Sequence, residues 1–185
     1  INDLMGAYCV CDTMSNDQLW SLYADNYAGY CIEYDLTDPC RSKGSIRFIS
    51  SLYPVFYAKI KDDDWFKKLY EAIVKTINIR GKASKFDSGL FFHQWLVKTL
   101  CTKKESWSYE REWRMLGDAN KIYKGPLISS IIVGHKINKV DFEEVQRYSE
   151  KLQCELKITD VDFDKQEVFA REITNDDILA IMRRV

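Results

Sequence analysis

The run WSYEREWR, residues 107–114, sets two tryptophans, a tyrosine, two glutamates and two arginines into eight positions. Charge at that density needs assigned partners, so the local conformation decides what the run does. If it is extended, alternation puts Glu110, Glu112 and Arg114 on one face and Tyr109, Arg111 and Trp113 on the other. Carboxylates at i and i+2 then lie about 6.5–7 Å apart at the backbone, each raising the other's pKa while a nearby arginine opposes the rise. If the run is a helical turn, Glu110 pairs with Arg114 and Tyr109 stacks on Trp113, both at i,i+4. The first arrangement resembles a tuned catalytic pair and the second is purely structural.

Outward from this run the chain alternates strand and helix signals. Residues 7–11 (AYCVC) read as a short strand, Ser15 or Asn16 as a cap, and LWSLYADNY as a helix stopped by Gly29. YCIEYD (30–35) reads as a strand, residues 39–44 as a turn and residues 54–59 as a strand. A triple-aspartate start and a Trp65, Leu69, Ile73, Ile77 stripe predict a helix over 62–80, and a second is expected over about 86–102, with Phe91, Trp95, Leu96 and Leu100 on its apolar side. Then come a strand at 127–133, a helix at about 140–152, strands near 155–161 and 168–173, and a terminal helix capped by Thr174 with Asp177 three residues on. With no internal repeat or linker, residues 1–185 read as a single α+β domain with mixed or antiparallel sheets and several flanking helices.

Composition narrows the function classes. The 185 residues are 46% hydrophobic and 14% aromatic, which describes a globular chain rather than a disordered one. The formal charge of -1 gives no whole-molecule argument for nucleic-acid or membrane-surface binding. Locally the balance differs: Lys98 to Lys124 holds seven basic residues against four acidic ones, enough to hold phosphates. No apolar run approaches the roughly 18 residues of a membrane span. Six cysteines without a CxxC pair fit free, mostly buried thiols in a reducing cytoplasm. With only His93, read as a core histidine, and His135, read as a turn residue, no zinc spacing can be assembled and no metal is expected.

Four segments in order carry a resemblance: LWSLYADNYAGYCIEYD (19–35), LYPVFYAK (52–59), TKKESWSYEREWRML (102–116) and ISSIIVG (128–134). They resemble the bacterial family called domain of unknown function 2971, whose members carry a W-x-x-YA…G-x-CI helix-to-strand segment, a V-x-Y strand and a K-x-x-x-W-x-[YF]-E-x-E-[WY]-R segment. Members usually begin with an aromatic, Arg-containing strand and an Asn-Asp-Pro turn. Neither occurs here, so an N-terminal segment or a partner chain is expected to complete the fold.

More remotely, the late Glu-x-Glu strand looks like the layout of ADP-ribosyltransferases, which implies a nucleotide ligand, NAD, consumed by a toxin or defence effector. In that analogy Glu112 hydrogen-bonds the nicotinamide ribose and stabilises an oxocarbenium-like transition state, while Glu110 orients the acceptor. Tyr23 or Trp20 stacks on the nicotinamide, and Arg114 or Lys103 holds the pyrophosphate. Two other classes stay open: a metal-dependent nuclease using Glu110, Glu112 and Asp35 with Lys103 near the scissile phosphate, and a non-catalytic interaction or sensor domain clamped by WSYEREWR. The geometric discriminator is Glu112. Buried against Arg114 it marks a fold determinant; facing a cleft lined by Tyr23 it marks a site.

Overall fold

Apolar stretches become strands, and short polar stretches cap the helices between them. The computed structural model describes residues 5–37, 43–59, 96–165 and 167–184. In chain order the elements are β1 (Met5–Cys11), α1 (Asp17–Tyr23), β2 (Tyr30–Asp35), α2 (Lys43–Ser50), β3 (Leu52–Pro54), β4 (Phe56–Ala58), β5 (Thr102–Lys104), a 3-10 turn (Glu105–Glu110), β6 (Glu112–Asp118), β7 (Leu127–Val133), α3 (Lys139–Leu152), β8 (Glu155–Asp162), β9 (Glu167–Glu172) and α4 (Asn175–Met182). The chain is α+β. It divides into two compact units interleaved in sequence, Ile1–Val10 with Tyr53–Ala119 and Cys11–Leu52 with Asn120–Val185.

The second unit is built on a four-stranded mixed sheet in the order β2-β7-β8-β9. β2 pairs antiparallel with β7, β7 parallel with β8, and β8 antiparallel with β9. The parallel step needs a crossover, which α3 supplies. Ile131 and Val133 on one face of β7 join Phe142 and Val145 of α3 and Ile181 of α4 in one core. Alternation puts Ile132 on the other face, in a second core with Trp20, Ala24, Tyr27 and Val168. At the C-terminal end, Thr174 and Asp177 form the reciprocal capping box their spacing predicts.

Helix α1 is capped by Asn16 and ends at Tyr23, before the expected stop at Gly29. Asp25, Asn26 and Tyr27 all have positive φ, 46°, 50° and 70°. This left-handed run takes Tyr27 out of the helix expected over LWSLYADNY and turns it inward, where its hydroxyl donates to Asp17 Oδ1 at 2.6 Å and its ring stacks on Trp20. Gly134 lies against it: a Cβ at 134 would stand 2.0 Å from the Tyr27 carbonyl oxygen.

The first unit holds β1-β6-β3 and the parallel pair β4-β5. The strand expected over 54–59 is two strands, because consecutive amides choose different partners. Val55 N–H donates to the Glu112 carbonyl at 2.9 Å and Phe56 N–H to the Cys101 carbonyl at 2.7 Å. A second difference is α2, which begins inside the expected 39–44 turn; its amphipathic pattern buries Phe48 and exposes Ile46 and Ile49. Residues 96–100 are helical with Leu96 buried. The expected helix over 62–80, the start of the one over 86–102, and His93 and Trp95 lie outside the described residues. Among the described residues no helix is long and apolar enough to cross a membrane.

Candidate functional site

WSYEREWR is neither one strand nor one helix. Its first four residues end the 3-10 turn, Arg111 takes a left-handed conformation at φ 47°, and β6 begins at Glu112. The reversal at Arg111 makes the simple alternation of an extended run inapplicable, yet Glu110 and Glu112 both turn inward. They are 3% and 7% exposed. The pairing of Glu110 with Arg114 expected of a helical turn is replaced by contacts that depend on the strand start.

Lys103 is the crossing point. Pairing of β5 with β4 sets Tyr57 opposite Lys103. The Lys103 ammonium donates to Glu110 Oε2 and lies 2.9 Å from Glu112 Oε2. It also stands 5.2 Å from the Trp107 ring centre, a cation–π distance. Arg114 completes the network: Nε donates to Glu112 Oε1 at 2.7 Å, Nη2 to Glu112 Oε2 at 3.1 Å, and Nη1 to the Leu100 carbonyl. The Glu112 amide donates to the Tyr57 hydroxyl at 2.8 Å. Two carboxylates and two cations are thus balanced, with Lys103 the most exposed member.

Burial alone raises the pKa of a carboxyl. At Glu112 that effect is outweighed by hydrogen bonds from Arg114, Cys9 and Lys103, which hold it at about 2 instead of 4.5. Burial likewise works against the Lys103 ammonium, but Glu110 and Glu112 push it up to about 12. Although Cys9 as a residue is exposed, local desolvation of its sulfur and the neighbouring Glu112 push the thiol up to about 11. Glu112 is therefore ionised throughout the physiological range. A general acid or base needs a pKa near the working pH, so Glu112 is suited to act as a fixed negative charge rather than to carry protons.

Of the six residues singled out from the sequence, Glu110, Glu112, Lys103 and Arg114 come together in the first unit. Trp20 and Tyr23 belong to the second. Trp20 is 3% exposed and donates its indole N–H to the Met14 carbonyl at 2.8 Å, as a core residue does. Tyr23, at the end of α1, is 66% exposed. Asp35 accepts from the Thr37 amide and hydroxyl in a local turn. Among the described residues no three His, Cys, Asp or Glu side chains gather as a metal-holding group. His135 sits in a turn, its ring 4.6 Å from that of Tyr27 and its Nδ1 3.2 Å from Thr159 Oγ1.

Three contributors had not been given roles. Tyr57 was visible as the last residue of the V-x-Y strand, but its bond to the Glu112 amide depends on the β4–β5 pairing. Leu100 contributes only a carbonyl, which no side-chain pattern reveals. Cys9 falls under the expectation of mostly buried cysteines, which is corrected here. Of the five described cysteines only Cys101 is buried, while Cys9 and Cys11 lie exposed on β1.

No curated protein and no solved structure matches the chain. A family model does match, over residues 19–115, a span that takes in α1 from Leu19 onward, β2, the V-x-Y strand and all of WSYEREWR. The chain belongs to the family described as "Protein of unknown function (DUF2971)".

Proposed function

We propose that this domain is an NAD-consuming enzyme of ADP-ribosyltransferase type, transferring ADP-ribose or hydrolysing NAD, with Glu112 as its fixed anion. What supports this reading is the placing of Glu112 between Lys103, 2.9 Å from Oε2, and Arg114, 2.7 Å from Oε1, partners that together with Cys9 hold its carboxyl at about 2. Loss of nicotinamide from NAD builds positive charge on the ribose, and a preoriented carboxylate that never takes up a proton stabilises that charge without reorganising. Proton-transfer chemistry gets no such support. Glu110, sharing the Lys103 ammonium, is the group to orient an acceptor.

A second reading is favoured by the discriminating geometry itself: Glu112 is 7% exposed and bound by Arg114 on both oxygens, the arrangement expected of a fold determinant, and Tyr23 belongs to the other unit. An arginine bound to both oxygens of a carboxylate and to a backbone carbonyl is a clamp that determines the fold, and a clamp needs no substrate. The domain is then a non-catalytic interaction or sensor module.

Nicotinamide release from NAD separates the two readings. The protein should release nicotinamide, and Glu112→Gln, assayed at a temperature where circular dichroism shows it folded, should lose that activity. Absence of NAD binding and turnover, or turnover intact in folded Glu112→Gln, overturns the enzymatic reading. A double-mutant cycle at Glu112 and Arg114 with large stability coupling and no associated activity establishes the clamp.

A further inference from the structure

The second unit holds a cavity of its own. It measures about 280 Å3, near the lower end of small-ligand pockets, and is lined by residues of β8, β9 and α4 together with His135, Phe163 and Arg184. Ile158 and Ile181 line it from the core, while Phe163, in the turn after β8, is 87% exposed at its open side. Two arginines and two aspartates share this small space.

By contact the four charges fall into two sets. Arg171 is spent: Nε donates to Asp160 Oδ2 at 2.6 Å, and Nη1 and Nη2 donate to Asp177 Oδ2 and Oδ1 at 2.6 and 2.9 Å. Both aspartates are engaged as well, since Asp160 Oδ1 accepts from the Val161 amide and Asp177 Oδ2 from Thr174. Arg184 meets no carboxylate among the described residues. Its Nη1 donates to the His135 and Ile137 carbonyls at 2.5 and 3.1 Å, which takes both hydrogens of that nitrogen. Nε–H and Nη2–H have no partner among the described residues, and they form the side of a guanidinium that receives a carboxylate through two parallel bonds. The two carbonyls fix the guanidinium beforehand, so binding there orders little that is not already ordered. His135 adds no charge at neutral pH, its imidazole being held below the ordinary 6.5 by burial and by Lys136 and Arg184.

We propose that this cavity binds a small organic carboxylate, its two oxygens on Nε and Nη2 of Arg184 and its apolar part against Val161, Phe163 and Ala180. Phosphate fits less well for two reasons. Asp160 and Asp177 share the one guanidinium of Arg171, and the surplus negative charge in the lining disfavours a dianion more than a monoanion. An inorganic phosphate also makes no use of the apolar side, which a carboxylate with a hydrocarbon part covers. The site does not depend on the NAD reading, whose residues Lys103, Glu110, Glu112 and Arg114 belong to the first unit.

The test is NMR titration of the full chain with benzoate, benzamide and inorganic phosphate. Benzoate should shift the amides of Thr159, Val161 and Ala180, and should bind roughly tenfold or more tightly than benzamide, which keeps the ring and lacks the charge. Arg184→Gln should weaken benzoate binding roughly tenfold or more, and Arg184→Lys, which keeps the charge but not the fork, should recover only part of it. Phe163→Ser, at a largely exposed position, should weaken benzoate binding roughly threefold with the thermal melt unchanged, a result that can be read even where loss of Arg184 unfolds the chain. No shift of these amides at up to about 10 mM benzoate, equal binding of benzamide, tighter binding of phosphate, or benzoate affinity unchanged in folded Arg184→Gln or in Phe163→Ser would each overturn the proposal.

Discussion

Replacing Glu112 with glutamine keeps the shape of the side chain and removes its charge, and the consequences can be worked through. In the folded chain the carboxyl is held at about 2 rather than 4.5. That difference corresponds to roughly 3 kcal/mol of preference for the ionised form in the native state. Glutamine still offers one oxygen to Arg114 but turns an NH2 toward the Lys103 ammonium, so the network loses its anion while both cations stay. Because the folded pKa is depressed, the stabilisation is fully present above about pH 5 and is lost as pH falls from 4.5 through about 2. Urea unfolding of both proteins at several pH values is the assay. Glu112→Gln should be roughly 3 kcal/mol less stable at neutral pH, and the gap should fall to less than half by about pH 3. Taking the difference between the two proteins cancels other carboxylates that titrate in the same window, such as Asp160 and Asp177, both held down by Arg171. A gap below about 1 kcal/mol at neutral pH, or one that does not change with pH, refutes the electrostatic account of this cluster.

Further outcomes follow from other contacts. Arg114→Met removes the donors to both Glu112 oxygens and to the Leu100 carbonyl, and should cost roughly 3 to 5 kcal/mol in urea unfolding; a loss under about 1 kcal/mol means the pair is dispensable. Gly134→Ala drives a methyl into the Tyr27 carbonyl and should cost about 3 kcal/mol or more. Gly125→Ala, whose Cβ meets no described atom within 4 Å, should leave the melting temperature nearly unchanged. Cys9, its thiol raised from 9.0 to about 11, should alkylate at pH 8 roughly 100-fold more slowly than a free cysteine by peptide mapping, and faster in Glu112→Gln; a normal rate contradicts its bond to Glu112. Thr174→Ala should cost about 1 kcal/mol by opening the capping box, read from the thermal melt.

Much of the secondary structure was legible because it rests on local chemistry. The apolar run LISSIIV is β7, the Thr174–Asp177 spacing is a capping box, and Asn16 caps α1. Legibility failed where backbone conformation or long-range pairing decided. Hydrophobic pattern carries no sign of the change of partner between Val55 and Phe56, nor of three successive left-handed residues after Ala24. LWSLYADNY reads as one helix, but the left-handed run sends Tyr27 into the core with Trp20 and leaves Tyr23 outside.

The same division holds for WSYEREWR. By itself the sequence determined which groups were available there, two carboxylates, two guanidiniums and aromatic anchors, and its order among the other motifs determined the family. Which charge meets which was decided by tertiary structure. The left-handed turn at Arg111 and the β4–β5 pairing bring Lys103, seven residues before Glu110, between the two glutamates, while Arg114 binds Glu112 and the Leu100 carbonyl. Coulomb attraction and hydrogen bonding act over a few ångströms, and distances at that scale are set by how separate segments pack, which local sequence does not encode.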